Sequence, residues 1–413
     1  MTITPNYNDN FFAKTWRARF CFMILYVVAN IYAYFSMTNN KELVGDFLGI
    51  GYASDTPVLW LLCWTLLSYY LICNVLFNLV MKIRINVYKI KHVSDAFGLF
   101  LLISQIAYML FNLLSGANSA GTDFKQGGTG RLLWLLLPVD YIFYIYYVLA
   151  RGKSNKIFYS LNALTFIASM LSRGWLGWVL IVAFIELCFI FSKGSLLKKI
   201  GLKNAILFLF LMLFFPIVFE LKVVFRALIL QQDWGGALTA LLDIDPLQAY
   251  TNFFDSLSSR LQQLSNVIYI YERSDQLSEL ISSGVVANYY WESLFQQTLA
   301  KLIGYVPGND IHVFLYSHYI SESSEAVTNL QTGFISWMII NPIQSLFYLV
   351  YITLLIAISI FLSKKIGGQR VCALTWFFVF IYIMCGWLNA FIFYIQALFV
   401  VYICMNVSLT SRK

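Results

Sequence analysis

One arginine, Arg173, marks the first candidate site in this chain. It lies in the run Ser172-Arg173-Gly174, between two apolar stretches that hold no other basic residue. A guanidinium group stays cationic and offers planar pairs of donors to phosphate or carboxylate oxygens. Because a charge at the edge of an apolar stretch is costly, Arg173 predicts an anionic partner. The competing interpretation is an arginine that reaches for lipid headgroups beside Trp175.

A second group of side chains could move protons. Asp310, His312, His318, Glu322 and Glu325 crowd one short stretch of the chain. Imidazole and carboxylate groups can act as general bases when they lie within hydrogen-bond reach of a hydroxyl. His312, His318 and Glu322 are therefore catalytic candidates, although a polar loop would carry the same residue types.

Four further basic residues are candidates for binding an anionic substrate. Lys222 and Arg226 lie four residues apart, which places them on one face of a helix. Glu220 could simply neutralise Lys222. Arg260 and Arg273 lie further along the chain on a long predicted helix, where a solvated helix face would explain them equally well.

Two acidic residues, Asp140 and Glu186, fall inside apolar stretches, where an ionisable group is a functional-site hypothesis. Structural pairing with another helix is the alternative. Asp243 and Asp245 imitate an acidic metal-binding motif, but Asp245 precedes Pro246 and is better explained as a helix N-cap. The sequence therefore predicts neither a metal site nor a cofactor.

The elements that position these residues are helices in a bilayer. Hydrophobic residues make up 60% of the chain and charged residues only 12%. Apolar stretches of about 20 residues recur, long enough to cross a hydrocarbon core of roughly 30 Å. We predict an all-α, polytopic transmembrane bundle of about ten spans, within limits of roughly nine and twelve. The predicted spans cover residues 20–37, 57–81, 96–116, 131–150, 157–172, 174–192, 204–225, 343–363, 371–388 and 389–407.

The charges predict an orientation for these spans. With the N-terminus in the cytoplasm, most of the 28 lysines and arginines fall on short connections on that side. This gives an even number of spans and two cytoplasmic termini. The formal net charge of +8 then indicates attraction to an anionic inner leaflet, and nucleic-acid binding is not expected.

The same pattern predicts three regions: residues 1–225 with about seven spans, an extracytoplasmic helical loop over 226–341, and residues 342–413 with about three spans. Apolar residues at three- and four-residue spacing predict one loop helix over residues 246–272. A second loop helix, beginning near Trp291, is predicted to end at Gly304. We expect both helices to cover the outer mouth of the bundle as a lid, with apolar faces against protein or the membrane interface.

Three short motifs carry a resemblance to a known family. The Ser172-Arg173-Gly174 turn resembles the Ser-Arg-Gly element of the O-antigen polymerase and ligase superfamily. The turn at 307–309 and the run Thr332-Gly333-Phe334-Ile335-Ser336-Trp337, which leads into the next span, are similar in order and position to Wzy-type polymerases of oligosaccharide repeat units.

Two further comparisons with the family bear on its subclasses. An arginine followed after ten residues by glycine occurs in periplasmic loops of the polymerases, and Arg273 with Gly284 fits that spacing. A ligase would carry a histidine closely followed by a polar residue and a downstream glycine. Here His318 is followed by Tyr319, with Gly333 further on, which favours the polymerase.

The resemblance implies a glycosyltransferase in the bacterial inner membrane, with a periplasmic active site and no cofactor. Its donor would be an oligosaccharide linked through diphosphate to undecaprenol, and membrane lipid and a chain-length regulator would be further partners. The diphosphate would be held by Arg173, and a base would come from His312, His318 or Glu322. The substrate-binding surface would continue over Lys222, Arg226, Arg260 and Arg273. An O-antigen ligase and a lipid-linked oligosaccharide transporter remain as alternatives.

Overall fold

The computed structural model describes residues 10–83, 94–115, 130–151, 156–194, 245–319, 330 and 332–410, and in addition residues 216 and 239. These parts of the chain are overwhelmingly helical, and their only β-structure is two isolated bridges. Six of the described helices are long and apolar enough to cross a membrane. They begin at Trp16, Thr56, Asp95, Arg131, Pro342 and Leu388. The chain is therefore a helical membrane protein.

The helices of the first region follow the predicted spans closely. They are α1 (Phe11–Lys14), α2 (Trp16–Asn40), α3 (Thr56–Lys82), α4 (Asp95–Ser115), α5 (Arg131–Leu136), α6 (Val139–Ala150), α7 (Lys156–Ser172) and α8 (Trp178–Ser192). Pro138 separates α5 from α6 because a proline disfavours helical backbone at the preceding residue, and Leu137 leaves the helical region. The span predicted over 204–225 lies outside the described residues.

Helices also dominate the predicted loop. They are α9 (Pro246–Leu261), α10 (Leu264–Tyr271), α11 (Ser274–Ser282), α12 (Leu294–Leu302), α13 (Ile311–Tyr319) and α14 (Ser336–Ile340). The predicted N-cap of α9 is confirmed, since the Asp245 carboxylate accepts the N–H of Leu247 at 2.9 Å. The predicted end of α12 is also confirmed, because Gly304 follows it at a φ of +82°.

Three helices form the last region: α15 (Ser345–Gly367), α16 (Gln369–Ile383) and α17 (Leu388–Thr410). α16 is shorter than the other two, so the turn that joins it to α17 lies within the bundle. The packing of α15 on α16 and α17, and of α17 on α6, joins this region to the first. Trp376, Phe377 and Phe378 of α16 are fully buried at the centre of these contacts.

The prediction of one helix over residues 246–272 is wrong. Gln262 has extended backbone, and the N–H groups of Gln263 and Leu264 donate to the Asn30 side-chain oxygen at 2.9 and 3.0 Å. The apolar spacing continues through this break although residues 264–270 of α10 are buried on all sides. Spacing reports which residues are buried, and a buried polar group on another helix can replace the backbone bonds of a missing turn.

Protein covers the apolar face predicted for the first loop helix only in part. Leu261 is 4% exposed, as expected of a covered face, but the apolar Phe254 is 55% exposed and the polar Gln263 is fully buried. α10 packs against α2, α3 and α14, so this part of the loop enters the bundle. Irregular backbone such as the α9–α10 break is tolerated at membrane depth only where protein surrounds it.

Basic residues gather at one end of the described bundle. The Lys364 ammonium donates to the carbonyls of Met81 and Ile83, which closes the end of α3. The Arg370 guanidinium lies over the rings of Phe11 and Phe189. The tertiary structure thus brings Lys364 to the end of α3 and Arg370 to α1 and α8, segments that are far apart in sequence.

Candidate functional site

Arg173 follows the last residue of α7, at a level well inside the bundle. α4 and α7 run side by side in register, because Asn162 donates to the Gly98 carbonyl at 2.9 Å and Arg173 lies 5.1 Å from the Tyr108 ring. The offset between contacting residues is nearly the same in both pairs. α4 continues from Tyr108 to Ser115, which is about 10 Å at the rise of an α-helix. Arg173 therefore lies about 10 Å below Ser115, the last described residue of α4.

The guanidinium of Arg173 is held from several sides. Both Nη atoms donate to the carboxylate of Asp140 at 2.9 Å, and Nε donates to the Ser169 carbonyl at 3.1 Å. The sulfur of Met170 and the face of the Tyr108 ring complete the surroundings. Only 3% of the Arg173 side chain is exposed, against 21% for Asp140, so the pair is reached through its carboxylate.

The local sequence explains how this pair forms. Pro138 ends α5 and starts a new helix, which places Asp140 in the first turn of α6, where the helix dipole favours a carboxylate. Gly174 adopts a φ of +68°, which lets the chain turn away directly after Arg173. The sequence predicted an anionic partner for Arg173 and offered structural pairing as one explanation of Asp140. The ion pair between the two residues fits both statements.

Polar side chains without partners lie on the same face of α4. Both amide atoms of Gln105 and both of Asn112 are buried and make no hydrogen bond, and each residue is about 2% exposed. With the α4–α7 register, Gln105 is level with Ser169, whose buried hydroxyl is also unpartnered. Asn112 lies beyond Arg173, toward the C-terminal end of α4. Burying such a group unpaired costs about 1–3 kcal/mol, so these atoms are suited to a polar ligand or water.

Sequence reasoning missed Gln105 and Asn112, although a signal was present. Ser104, Gln105, Tyr108 and Asn112 recur at three- and four-residue spacing inside an apolar stretch. This spacing places them on one helix face, and polar residues within a span face the bundle interior.

His312 forms a second buried site in the loop. Its Nδ1 lies 2.5 Å from the Leu330 carbonyl oxygen, which can only accept, so Nδ1 carries the proton. Nε2 faces the Glu292 carboxyl at 3.6 Å, too far for a hydrogen bond. Burial lowers the pKa of His312 to about 4. Burial, with the nearby Asp310 charge, raises the pKa of Glu292 well above its ordinary value. His312 is therefore neutral near pH 7, and burial favours the protonated, uncharged form of Glu292.

The surroundings of His312 bear on its predicted role as a base. Its two ring nitrogens already face protein groups, and the low pKa means that it takes up a proton weakly. Glu292 was not a candidate from the sequence, since an isolated glutamate in a polar loop gives no signal. His312 and the backbone of His318 lie on α13. The side chain of His318 and all of Glu322 are outside the described part of the chain.

The run over residues 332–337 docks on the turn between α16 and α17. The N–H groups of Gly333 and Phe334 donate to the carbonyls of Cys385 and Met384 at 3.1 and 2.9 Å. Gly386 has a φ of +80°, and a Cβ there would lie 2.2 Å from the Thr332 hydroxyl. The glycines thus permit a close backbone approach that seats the loop on the bundle.

The two loop arginines take part in a separate assembly. The Arg260 guanidinium lies 3.4 Å from the carboxylate of Asp46, in the connection between α2 and α3. The guanidinium of Arg273 stacks 3.8 Å from the Tyr269 ring and lies 3.8 Å from Glu272. Lys222 and Arg226 lie outside the described residues. The structure therefore pairs Arg173 with Asp140, and Arg260 with Asp46 in the connection between α2 and α3.

The spacing of Arg273 and Gly284 has a structural explanation. Arg273 directly precedes α11, and Gly284 ends it with a φ of +78°. The two residues thus flank a single helix. Inside the first region, Glu186 accepts from Tyr147 at 2.7 Å and pairs with Arg151, so its charge is balanced by a neighbouring helix.

Comparisons with known proteins supply no relative: no family model, no curated protein and no solved structure matches the chain. Within the described residues, no cluster of three histidine, cysteine or acidic side chains could hold a metal ion. The candidate site is therefore defined by its own geometry. It comprises Arg173 and Asp140, with Gln105, Tyr108 and Asn112 on the adjoining face of α4.

Proposed function

We propose that this chain is a Wzy-type membrane glycosyltransferase that polymerises oligosaccharide repeat units carried on undecaprenyl diphosphate. The observation that carries the proposal is the Arg173–Asp140 pair. A buried guanidinium lies about 10 Å below Ser115 of α4, beside polar atoms that have no partner. The proposal includes about ten spans in the bacterial inner membrane, two cytoplasmic termini and a periplasmic site, with a chain-length regulator as a partner.

In the proposed reaction, the donor diphosphate displaces Asp140 from Arg173. A guanidinium can hold either anion through the same pair of Nη donors. The bond between the sugar C1 and the diphosphate oxygen breaks, and undecaprenyl diphosphate leaves with the electron pair. Arg173 stabilises the charge that builds on this leaving group.

The acceptor sugar supplies the other half of the reaction. Its hydroxyl oxygen forms the new bond to C1, and its proton passes to the released carboxylate of Asp140, which is the exposed member of the pair. Gln105 and Asn112 can each donate and accept hydrogen bonds, which suits them to sugar hydroxyls. This assigns the base to Asp140 in preference to His312, whose nitrogens face other groups.

The packing below Asp140 argues against the transporter alternative. Asp140 and Arg151 stand at opposite ends of α6, about 16 Å apart along the helix axis. Between them, the rings of Phe143 and Phe166 stack at 3.9 Å, and Tyr144 lies against Phe378 at 5.8 Å. A transporter would need a polar route through this region, whereas a polymerase needs a site on one side only.

Arg173→Lys in a strain that lacks the native gene tests the proposal. We expect single-repeat products in place of long chains, because a lysine cannot reproduce the bidentate contact. Lys41→Ala is the control, since Lys41 is an exposed residue paired with Asp55, and it should leave chain length unchanged. Immunoblots of the membrane fraction would confirm equal protein levels. Full-length chains with Arg173→Lys would overturn the proposal and leave Arg173 as a structural partner of Asp140.

A deletion strain separates the polymerase from the ligase. Loss of a polymerase leaves single repeat units attached to the final acceptor, whereas loss of a ligase leaves no attached glycan. Electrophoretic banding of the surface polysaccharide distinguishes these outcomes. Absence of all attached repeats would overturn the polymerase proposal in favour of the ligase.

A further inference from the structure

The loop helix α12 turns its polar side toward the protein. Gln296 donates to the Tyr351 hydroxyl at 3.0 Å, and Gln297 donates to the Trp291 carbonyl at 3.0 Å and to the Asp310 carboxylate. An amphipathic helix on a water-facing surface has the reverse arrangement, with apolar residues inward and polar residues outward. The medium outside α12 is therefore expected to be apolar.

The outward side of α12 and the turn that follows it carry large apolar side chains. The exposed fractions are 46% for Leu299, 78% for Leu302, 79% for Ile303, 47% for Tyr305 and 74% for Val306. We call these five residues the apolar tip. The Tyr305 N–H donates to the Ala300 carbonyl at 2.9 Å, which closes the helix and holds the tip together. Exposed apolar clusters of this kind mark an interaction surface.

Contacts of α12 place the apolar tip beside the membrane-crossing helices. Tyr351, the partner of Gln296, lies six residues into α15, which is about 9 Å from the start of that helix. The Leu294 N–H donates to Asn389 of α17 at 3.2 Å. α12 also packs against α5, whose Leu132 and Leu133 are exposed on the outer surface of the bundle. The tip thus continues the apolar surfaces of two spans.

We propose that the apolar tip inserts into the lipid leaflet on the loop side of the membrane and anchors the loop there. Its occupant is the acyl-chain region, because the tip adjoins bundle surfaces that already face lipid. Lys301, also exposed, can extend along the tip and place its ammonium among the lipid phosphates. The rings of Trp291 and Tyr305, 5.4 Å apart, match the aromatic residues that favour the interface.

Spin labels on the full chain in lipid nanodiscs test this proposal. Cysteines would replace Ile303 and Val306 singly, in a background without Cys21, Cys63 and Cys404, which the label could reach. Collision rates with oxygen, which concentrates in lipid, and with a nickel chelate, which stays in water, report the depth of each label. Leu354 of α15, 55% exposed, is the lipid control, and the exposed loop residue Ser283 is the water control.

Labels at both tip positions should collide with oxygen as at Leu354 and little with nickel. Collision rates like those at Ser283 would overturn the proposal, since the tip would then lie in water. Shielding from both reagents, with broadening from a second nearby label, would overturn it in favour of contact with a second copy of the chain. Because labelling needs no substrate, these outcomes are independent of the proposed function.

Discussion

Two pairs of ionisable groups in the described part of the chain are largely removed from water, and the cost of burying charge is met differently in each. Arg173 and Asp140 meet through two hydrogen bonds of 2.9 Å, so each charge is compensated by the other. His312 Nε2 and the Glu292 carboxyl lie 3.6 Å apart. Burial lowers the pKa of His312 and raises the pKa of Glu292, so it favours the neutral form of each group. In the first pair Arg173 stays cationic, so an anionic substrate could replace Asp140 as its hydrogen-bond partner. In the second, burial favours the uncharged forms, which suits a structural contact between α13, Leu330 and the rest of the loop.

The largest expected effect comes from breaking the charged pair. Asp140→Leu leaves the Arg173 guanidinium buried without its carboxylate, which should destabilise the protein by about 3–5 kcal/mol. The double variant Asp140→Leu/Arg173→Met removes both charges and should recover most of that stability, although no chains are made. Thermal unfolding in detergent measures both variants. Equal unfolding temperatures for Asp140→Leu and the native chain would mean that the pair is not buried as described.

Burial of His312 should make the free energy of unfolding depend on pH. The pKa of His312 is about 4 when folded and 6.5 as the ordinary value, so the unfolded chain binds more protons between these values. The contribution of His312 to stability should therefore fall as the pH is lowered from 6.5 toward 4, by about 3 kcal/mol in all. The raised pKa of Glu292 contributes in the opposite sense over part of this range, so the prediction concerns the difference between the native chain and a His312 variant. His312→Gln should remove this loss. An identical pH profile for the variant and the native chain would contradict a buried neutral imidazole.

The unpartnered amides beside Arg173 should show opposite effects on stability and activity. Asn112→Leu removes two buried polar atoms without partners, so we expect a gain of about 1–2 kcal/mol. If Asn112 binds sugar, chain elongation should fall in the same variant. Asn30→Leu is the contrasting control, since Asn30 holds the α9–α10 break and its loss should destabilise the protein. A loss of stability with Asn112→Leu would indicate a structural role.

The smallest effect is expected at Glu292. Glu292→Gln keeps the shape of the side chain and replaces a carboxyl whose uncharged form burial favours, so stability near pH 7 should change by less than about 1 kcal/mol. Chain elongation should also persist. Thermal unfolding and polysaccharide banding check this prediction. A loss as large as that of Asp140→Leu would show that Glu292 is charged and paired, which would remove the distinction between the two sites.

Short-range features of the fold could be read from the sequence because local physics decides them. The apolar stretches follow the thickness of the bilayer, and Asp245, Pro246 and Gly304 act within one turn of a helix end. The break between α9 and α10 could not be read, because it depends on Asn30, which lies more than two hundred residues earlier. Burial alone preserved the helical spacing on both sides of it.

By itself, the sequence determined the helical membrane character of the chain, the ends of several helices and the isolation of Arg173 as a cation between apolar stretches. Tertiary structure alone decided that the partner of Arg173 is Asp140, that Gln105 and Asn112 lie beside it without partners, and that α12 faces outward with its apolar side. The physical reason is range. Propensity and hydropathy act over one or two turns, whereas the balance of a buried charge is set by whichever helix packs against it.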